Sequence, residues 1–174
     1  PKAASRHLGG ADVGGWYAPN ISSDKTGIGD WSDEQLKHFL AHGKGKRANA
    51  GGDMGLAVRM SLSKLPASDL DAMVAYLKAT GPVAGQPLAP IVQSVAALSP
   101  TDVEPVNANY KDYFDASSTN GALLYISACA TCHGSDGSLA KGAGPSLTHS
   151  GAVRLANPAN VVQTITNGIN LVEL

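Results

Sequence analysis

The sequence predicts an all-α protein: two short helical modules joined by a proline-rich linker. Three observations predict it. Apolar residues recur at helical spacing between recognisable caps. Pro82, Pro87, Pro90, Pro100 and Pro105 fall in residues 82–118 without any such period. Two blocks of the first half return in the second at nearly the same offset. The composition agrees with short helices set in much loop. Of 174 residues, 20 are glycine and 10 proline, and aromatic residues make up only 5%. The expected modules are residues 1–81 and 119–174.

The first element is a helix over residues 32–43. Ser32 is a good N-cap, and Gln35 completes an S-x-x-Q capping box. Leu36, Phe39 and Leu40 form an apolar stripe at i, i+3 and i+4, and Gly43 supplies the stop. A second helix is expected at 66–79. Pro66 suits its first turn, Asp69 and Asp71 favour the positive end of the helix dipole, and Leu70, Met73, Val74 and Leu77 form its buried face. Gly81 and Pro82 end it. Residues 82–118 then read as an extended linker. A third helix is expected at about 120–131. A fourth starts at Asn157 and Pro158, a cap followed by proline at the first helical position, and ends at Gly168.

The repeat is carried by short matches. Residues 18–22 line up with 144–148 at an offset of 126, and residues 32–43 with 157–168 at an offset of 125. The second match pairs Leu36 with Val161, Leu40 with Ile165 and Gly43 with Gly168. The shared offset favours a duplicated module.

Both cysteines of the chain lie in Cys129-Ala130-Thr131-Cys132-His133. C-x-x-C-H is the spacing of covalent c-type haem attachment. Two thiols one helical turn apart can each add to a vinyl group of one porphyrin, and the adjacent imidazole can then ligate the iron. Two other chemistries use C-x-x-C. A redox dithiol normally follows a strand in a βαβ unit, whereas residues 121–128 read as helical. A structural zinc site needs two further ligands, which His38 and His42, spaced i and i+4 but far upstream, could supply. Thioether-bound haem implies an exported, periplasm-like compartment.

A haem iron held by histidine can take methionine on its other side, which raises its potential and suits electron transfer. No methionine follows residue 132, and His149 is the other strong donor of that half. In the first half Met54 sits in the glycine-rich stretch 50–55, which reads as a loop able to carry a thioether to an iron or as an ordinary gap-filling site. Met60 fits either class, and Met73 belongs to the core face of its helix. His38 and His42 flank the apolar stripe and are expected at the surface, where His42 also favours the helix dipole. A net charge of −1 points away from nucleic acid. No apolar run approaches the roughly 18–20 residues of a membrane span.

Residues 14–24 and 26–33, then Asp53-Met54-Gly55, Leu62-Ser63, Asp69-Leu70 and residues 75–78, resemble the second haem module of triple-haem cytochrome c subunits. These subunits serve membrane-bound dehydrogenases that oxidise alcohols, gluconate, sorbitol, fructose or aldehydes. Residues 121–125, 129–133, 144–147 and 157–160 resemble the third module. The Ala-Pro-Asn block at 18–20 and the Gly-Ile-Gly-x-Trp-Ser block at 27–32 are the most specific. The resemblance covers nearly the whole chain apart from the linker.

The resemblance implies tandem class I cytochrome c-like haem modules and two or more haems c in the full protein. It makes Met54 the axial ligand of the middle haem. It places that module's C-x-x-C-H before Pro1 and the last module's methionine after Leu174. Arg59 and Met60 depart from the polar or acidic residues of the family. The implied role is a non-catalytic electron-transfer subunit on the periplasmic side of the bacterial inner membrane. It would take electrons from a catalytic dehydrogenase subunit and deliver them to quinone or a terminal oxidase, with membrane association through segments outside this chain. The alternatives are a freely diffusing periplasmic cytochrome c and a haem-c peroxidase.

Overall fold

The computed structural model describes residues 6–45, 47–90, 121–138 and 146–169. The fold is mostly helical, with one small sheet. Among the described residues no helix is long and apolar enough to cross a membrane. The chain forms two compact units. One joins the N-terminal residues up to Pro90 with those from Ser150 onward; the other lies between them and runs to His149.

The first unit opens with a hairpin the sequence did not predict. Strand β1 (Ala11–Val13) pairs antiparallel with β2 (Trp16–Ala18), matching Ala11 to Ala18, Asp12 to Tyr17 and Val13 to Trp16. Gly14 and Gly15 make the turn with φ of 56° and 82°. Two left-handed residues in a row suit the twist of a two-residue hairpin, and glycine adopts them without steric cost. Strands of three residues are too short for alternation to register, so the glycine pair was the one available signal.

Helix α1 (Asp33–His42) forms as expected. The Ser32 side chain accepts from the Gln35 N–H at 3.1 Å, and the Gln35 side chain accepts from the Ser32 N–H at 3.0 Å. Gly43 closes the helix with φ 66°, donating its N–H to the Phe39 carbonyl. Helix α2 (Gly52–Met60) and a 3-10 turn (Leu62–Lys64) lead into α3 (Ala67–Ala79). Pro66 stands at the N-cap of α3, one step outside the helix. Leu36 and Leu40 of α1 meet Leu70 and Val74 of α3 and Ile28 of the preceding loop in one buried cluster. Trp31, Leu62, Leu65, Met73 and Leu77 pack around it. Each buried aliphatic side chain contributes about 1.5–3 kcal/mol.

A polar knot holds the loop before α1. Asn20 and Ser22 are buried. The Asn20 amide donates to Thr26 Oγ1 and to the Val83 carbonyl, and its oxygen accepts from the Ser22 N–H. Val83 N–H donates to Ser22 Oγ, and Gly85 N–H to Thr26 Oγ1. The start of the predicted linker, residues 82–90, is therefore anchored to the first unit. Residues 91–120 lie outside the described residues.

Two helices from the far end of the chain complete this unit: α6 (Gly151–Arg154) and α7 (Ala159–Asn167). Asn157 caps α7 through its side-chain oxygen, which accepts from the Ala159 N–H at 2.9 Å, and Pro158 occupies the N-cap position rather than the first helical one. The match of α7 to α1 does not extend to burial. Leu36 and Leu40 are 4% and 7% exposed, whereas Ile165 is 73% exposed. Helix α1 is covered by α3, while α7 meets the hairpin through its polar side chains.

The second unit contains α4 (Gly121–Ala128) and α5 (Ala130–His133). The expected continuous helix over 120–131 is broken at Cys129 and resumes to His133.

Candidate functional site

The break at Cys129 shapes the site. Its N–H donates to the Tyr125 carbonyl and so closes α4, while its carbonyl accepts from the N–H groups of Cys132 and His133 at 3.1 and 3.0 Å. One tight turn thus carries both sulfurs, with the imidazole next to the second. Cys129 is half-buried, Cys132 is exposed, and both are free thiols. His133 is half-buried.

The turn is braced from behind. Gly134 leaves it with φ 80°, and Tyr125 Oη donates to the Gly134 carbonyl at 2.7 Å. Burial, followed by the neighbouring Cys129 and Asp136, holds the Tyr125 hydroxyl above its ordinary pKa of 10.0, so it stays a donor. Asp136 is held below the ordinary carboxylate value by bonds from Ser138. Gly137 is buried with φ 72°, and a Cβ there would stand 3.3 Å from Leu147 Cβ. Without that Cβ, the 146–148 segment closes in, with Leu147 N–H and Ser146 Oγ both bonding the Gly137 carbonyl at 3.0 Å. Sequence reasoning missed Tyr125 and Gly137. The spacing of Tyr125, one helical turn before Cys129, was the only signal.

The donor set fits haem c. Two thiols one turn apart suit two vinyl groups, and an imidazole beside them suits the iron. Leu124, Ile126 and Leu147 are half-buried in this unit. Among the described residues no group of three His, Cys, Asp or Glu side chains could hold a bare metal ion, so the zinc alternative gains no further ligand. His149 lies in the same unit, exposed, with its Nδ1 3.2 Å from Thr148 Oγ1.

Met54 lies in the first unit, and its setting corrects the loop expectation. It sits in the first turn of α2, 38% exposed. The glycines before it serve a close approach. Trp16 lies over the start of α2, where a Cβ on Gly51 or Gly52 would come within 2.9 and 2.7 Å of its indole ring. Gly52 also has φ +53°. Trp16, Leu56, Arg59 and Asn167 help to line a cleft of ≈ 280 Å³ beside that helix start. Met60 is exposed, and Met73 packs on the core. His38 is exposed and His42 half-buried, their rings 4.6 Å apart. His7 is exposed.

Residues 116–173 match the protein family described as cytochrome c oxidase, cbb3-type, subunit III. The chain also aligns over most of its length with known proteins. It is 36% identical to the fructose dehydrogenase cytochrome subunit of Gluconobacter japonicus, over 95% of this chain and 35% of that protein. It is 31% identical to the cytochrome c subunit of the quinone alcohol dehydrogenase of Komagataeibacter europaeus, over 92% of this chain and 32% of that one. It is 33% identical to the gluconate 2-dehydrogenase cytochrome c subunit of Pantoea cypripedii, over 74% and 26%. The chain thus spans between about a quarter and a third of the length of these relatives.

Proposed function

From the premise that this chain is related to the cytochrome c subunits of fructose, alcohol and gluconate dehydrogenases, we propose that it is an electron-transfer part of such a subunit. One observation carries the reading: C-x-x-C-H lies inside the residues that match a cytochrome family, on a chain whose two halves both align with dehydrogenase cytochrome subunits. The diffusing-cytochrome and peroxidase alternatives are not favoured, because the relatives are subunits of dehydrogenases.

Cys129 and Cys132 would hold haem c through two thioether bonds, each thiol S–H adding across one vinyl double bond. His133 supplies the nitrogen ligand to the iron. Met54 would supply a thioether ligand to the iron of a second haem. Bound haem c supplies a one-electron carrier, and its potential responds to axial ligand, burial and nearby hydrogen bonds. Tyr125 braces the turn that presents the donors. The two sequence modules, 1–81 and 119–174, are tandem cytochrome c-like modules joined by residues 82–118. The donor is a catalytic dehydrogenase subunit, and the acceptor is quinone or a terminal oxidase. The setting is the periplasmic side of the bacterial inner membrane, with membrane association through segments outside this chain.

The test is covalent haem. After export with haem maturation, the denatured chain should stain for haem and carry the added mass. Cys129→Ala with Cys132→Ala should abolish both signals from this site. A wild-type chain exported alongside a haem-loaded control cytochrome, yet free of covalent haem, would overturn the reading.

A further inference from the structure

We propose that the outer edge of β2 is a docking edge, and that Asn160 of α7 latches the segment 150–169 onto it. The register makes the edge available. Val13 and Trp16 flank the two-residue turn, so Asp12 and Tyr17 form the next, non-hydrogen-bonded pair. The N–H and C=O of Tyr17 therefore point away from β1. A row of such groups on an edge strand invites a partner.

The Asn160 carboxamide is that partner. Its oxygen accepts from the Tyr17 N–H at 2.9 Å and its nitrogen donates to the Tyr17 carbonyl at 2.8 Å. A side-chain amide reproduces here the pair of bonds a third strand would make. Two further contacts extend the register along the hairpin. Asn157 Nδ2 donates to Asp12 Oδ1 at 3.1 Å, and Gln163 Nε2 donates to the Gly15 carbonyl at 3.2 Å. Residues 157, 160 and 163 are spaced so that one side of the α7 region meets the hairpin. A separate point fastens the same segment near α6, where Gly151 N–H donates to the Arg47 carbonyl and Ala89 N–H to the Arg154 carbonyl.

The consequence concerns which parts of the chain act together. The segment follows the C-x-x-C-H turn in sequence yet is held by the unit that carries Met54. On the two-module reading above, on which this consequence rests, the latch joins the last module to the one before it through the Asn160, Asn157 and Gln163 contacts, none of which involves the connecting residues 82–118. The hairpin is then an intramolecular docking element.

The experiment uses the haem-loaded full chain with a protease site inserted between residues 105 and 106. After cleavage, the two pieces of the wild type should co-elute on size exclusion under native conditions. Asn160→Ala should speed exchange of the Tyr17 amide by about tenfold or more while the α1 amides keep their protection, the bonds at Gly151, Arg154, Asn157 and Gln163 still holding the pieces together. Asn160→Asp keeps the acceptor and loses the donor, so it should give a smaller acceleration, and it serves if the alanine variant does not fold. Separation of the wild-type pieces, or unchanged Tyr17 exchange in both variants, overturns the proposal. Covalent haem stain on the same samples tests the haem reading of the C-x-x-C-H turn separately, since no latch residue belongs to that turn.

Discussion

At the scale of single residues, chemistry was legible where donors are adjacent in sequence. Cys129, Cys132 and His133 are read directly because their spacing is local, and the structure brings them together on one turn. Met54 was legible only as a candidate, since nothing in its neighbours states which face it presents. On the proposed role, Met54→Ala should turn one unreactive ferrous haem into one that binds carbon monoxide, read as a new absorption change in the reduced, gas-treated protein. An unchanged spectrum in a protein shown to hold two haems would remove Met54 as a ligand. The buried role of Asn20 was not legible, because its bond to Val83 joins residues 63 positions apart. Asn20→Ala leaves the buried Ser22 N–H and the Val83 carbonyl without this partner. The expected loss is about 1–3 kcal/mol, measured by chemical denaturation.

At the scale of elements, helices with periodic apolar faces or their own start and stop signals were legible, and the glycine-rich α2 was not. Helix α1 carries its own start and stop signals, and Ser32, Gln35 and Gly43 each do what their residue types predict. Ser32→Ala should cost about 1 kcal/mol, seen as a lower thermal midpoint, and Ser32→Asp should restore most of it. Helix α2 was read as a loop because Gly51, Gly52 and Gly55 oppose helix formation by propensity. Packing overrides that propensity: Val58 is 2% exposed, and the Trp16 indole sits over the helix start. Gly52→Ala must accept both φ +53° and a 2.7 Å approach to that ring. It should destabilise the first unit by more than Ser32→Ala does, with both measured in the same denaturation series.

At the scale of the whole molecule, the carboxylates set a pH dependence. Thr26 hydrogen bonds hold Asp24 below its ordinary value of 3.8, the Arg47 guanidinium does the same for Asp30, and Ser138 for Asp136. A carboxylate whose folded pKa is depressed stabilises the fold above its unfolded value, and that stability is lost as pH falls through the folded value. Stability should therefore be level from pH 7 to about 5 and fall below about 4. Denaturation midpoints at pH 7, 5 and 3 check this, and an equal midpoint at pH 3 would contradict it. The Asp30 side chain is 58% exposed, so added salt should weaken its pairing with Arg47.

By itself the sequence determined the helical class, the ends of α1, the core face of α3 and the C-x-x-C-H donor set. Each is written in residues within one or two helical turns of one another, where capping, periodicity and spacing act directly. Only the tertiary structure decided that residues 150–169 pack with the N-terminal unit, that a hairpin edge receives Asn160, and that Met54 lies in a helix under Trp16. Those outcomes depend on hydrogen bonds and packing between residues far apart in the chain, and no local pattern records which distant groups satisfy one another.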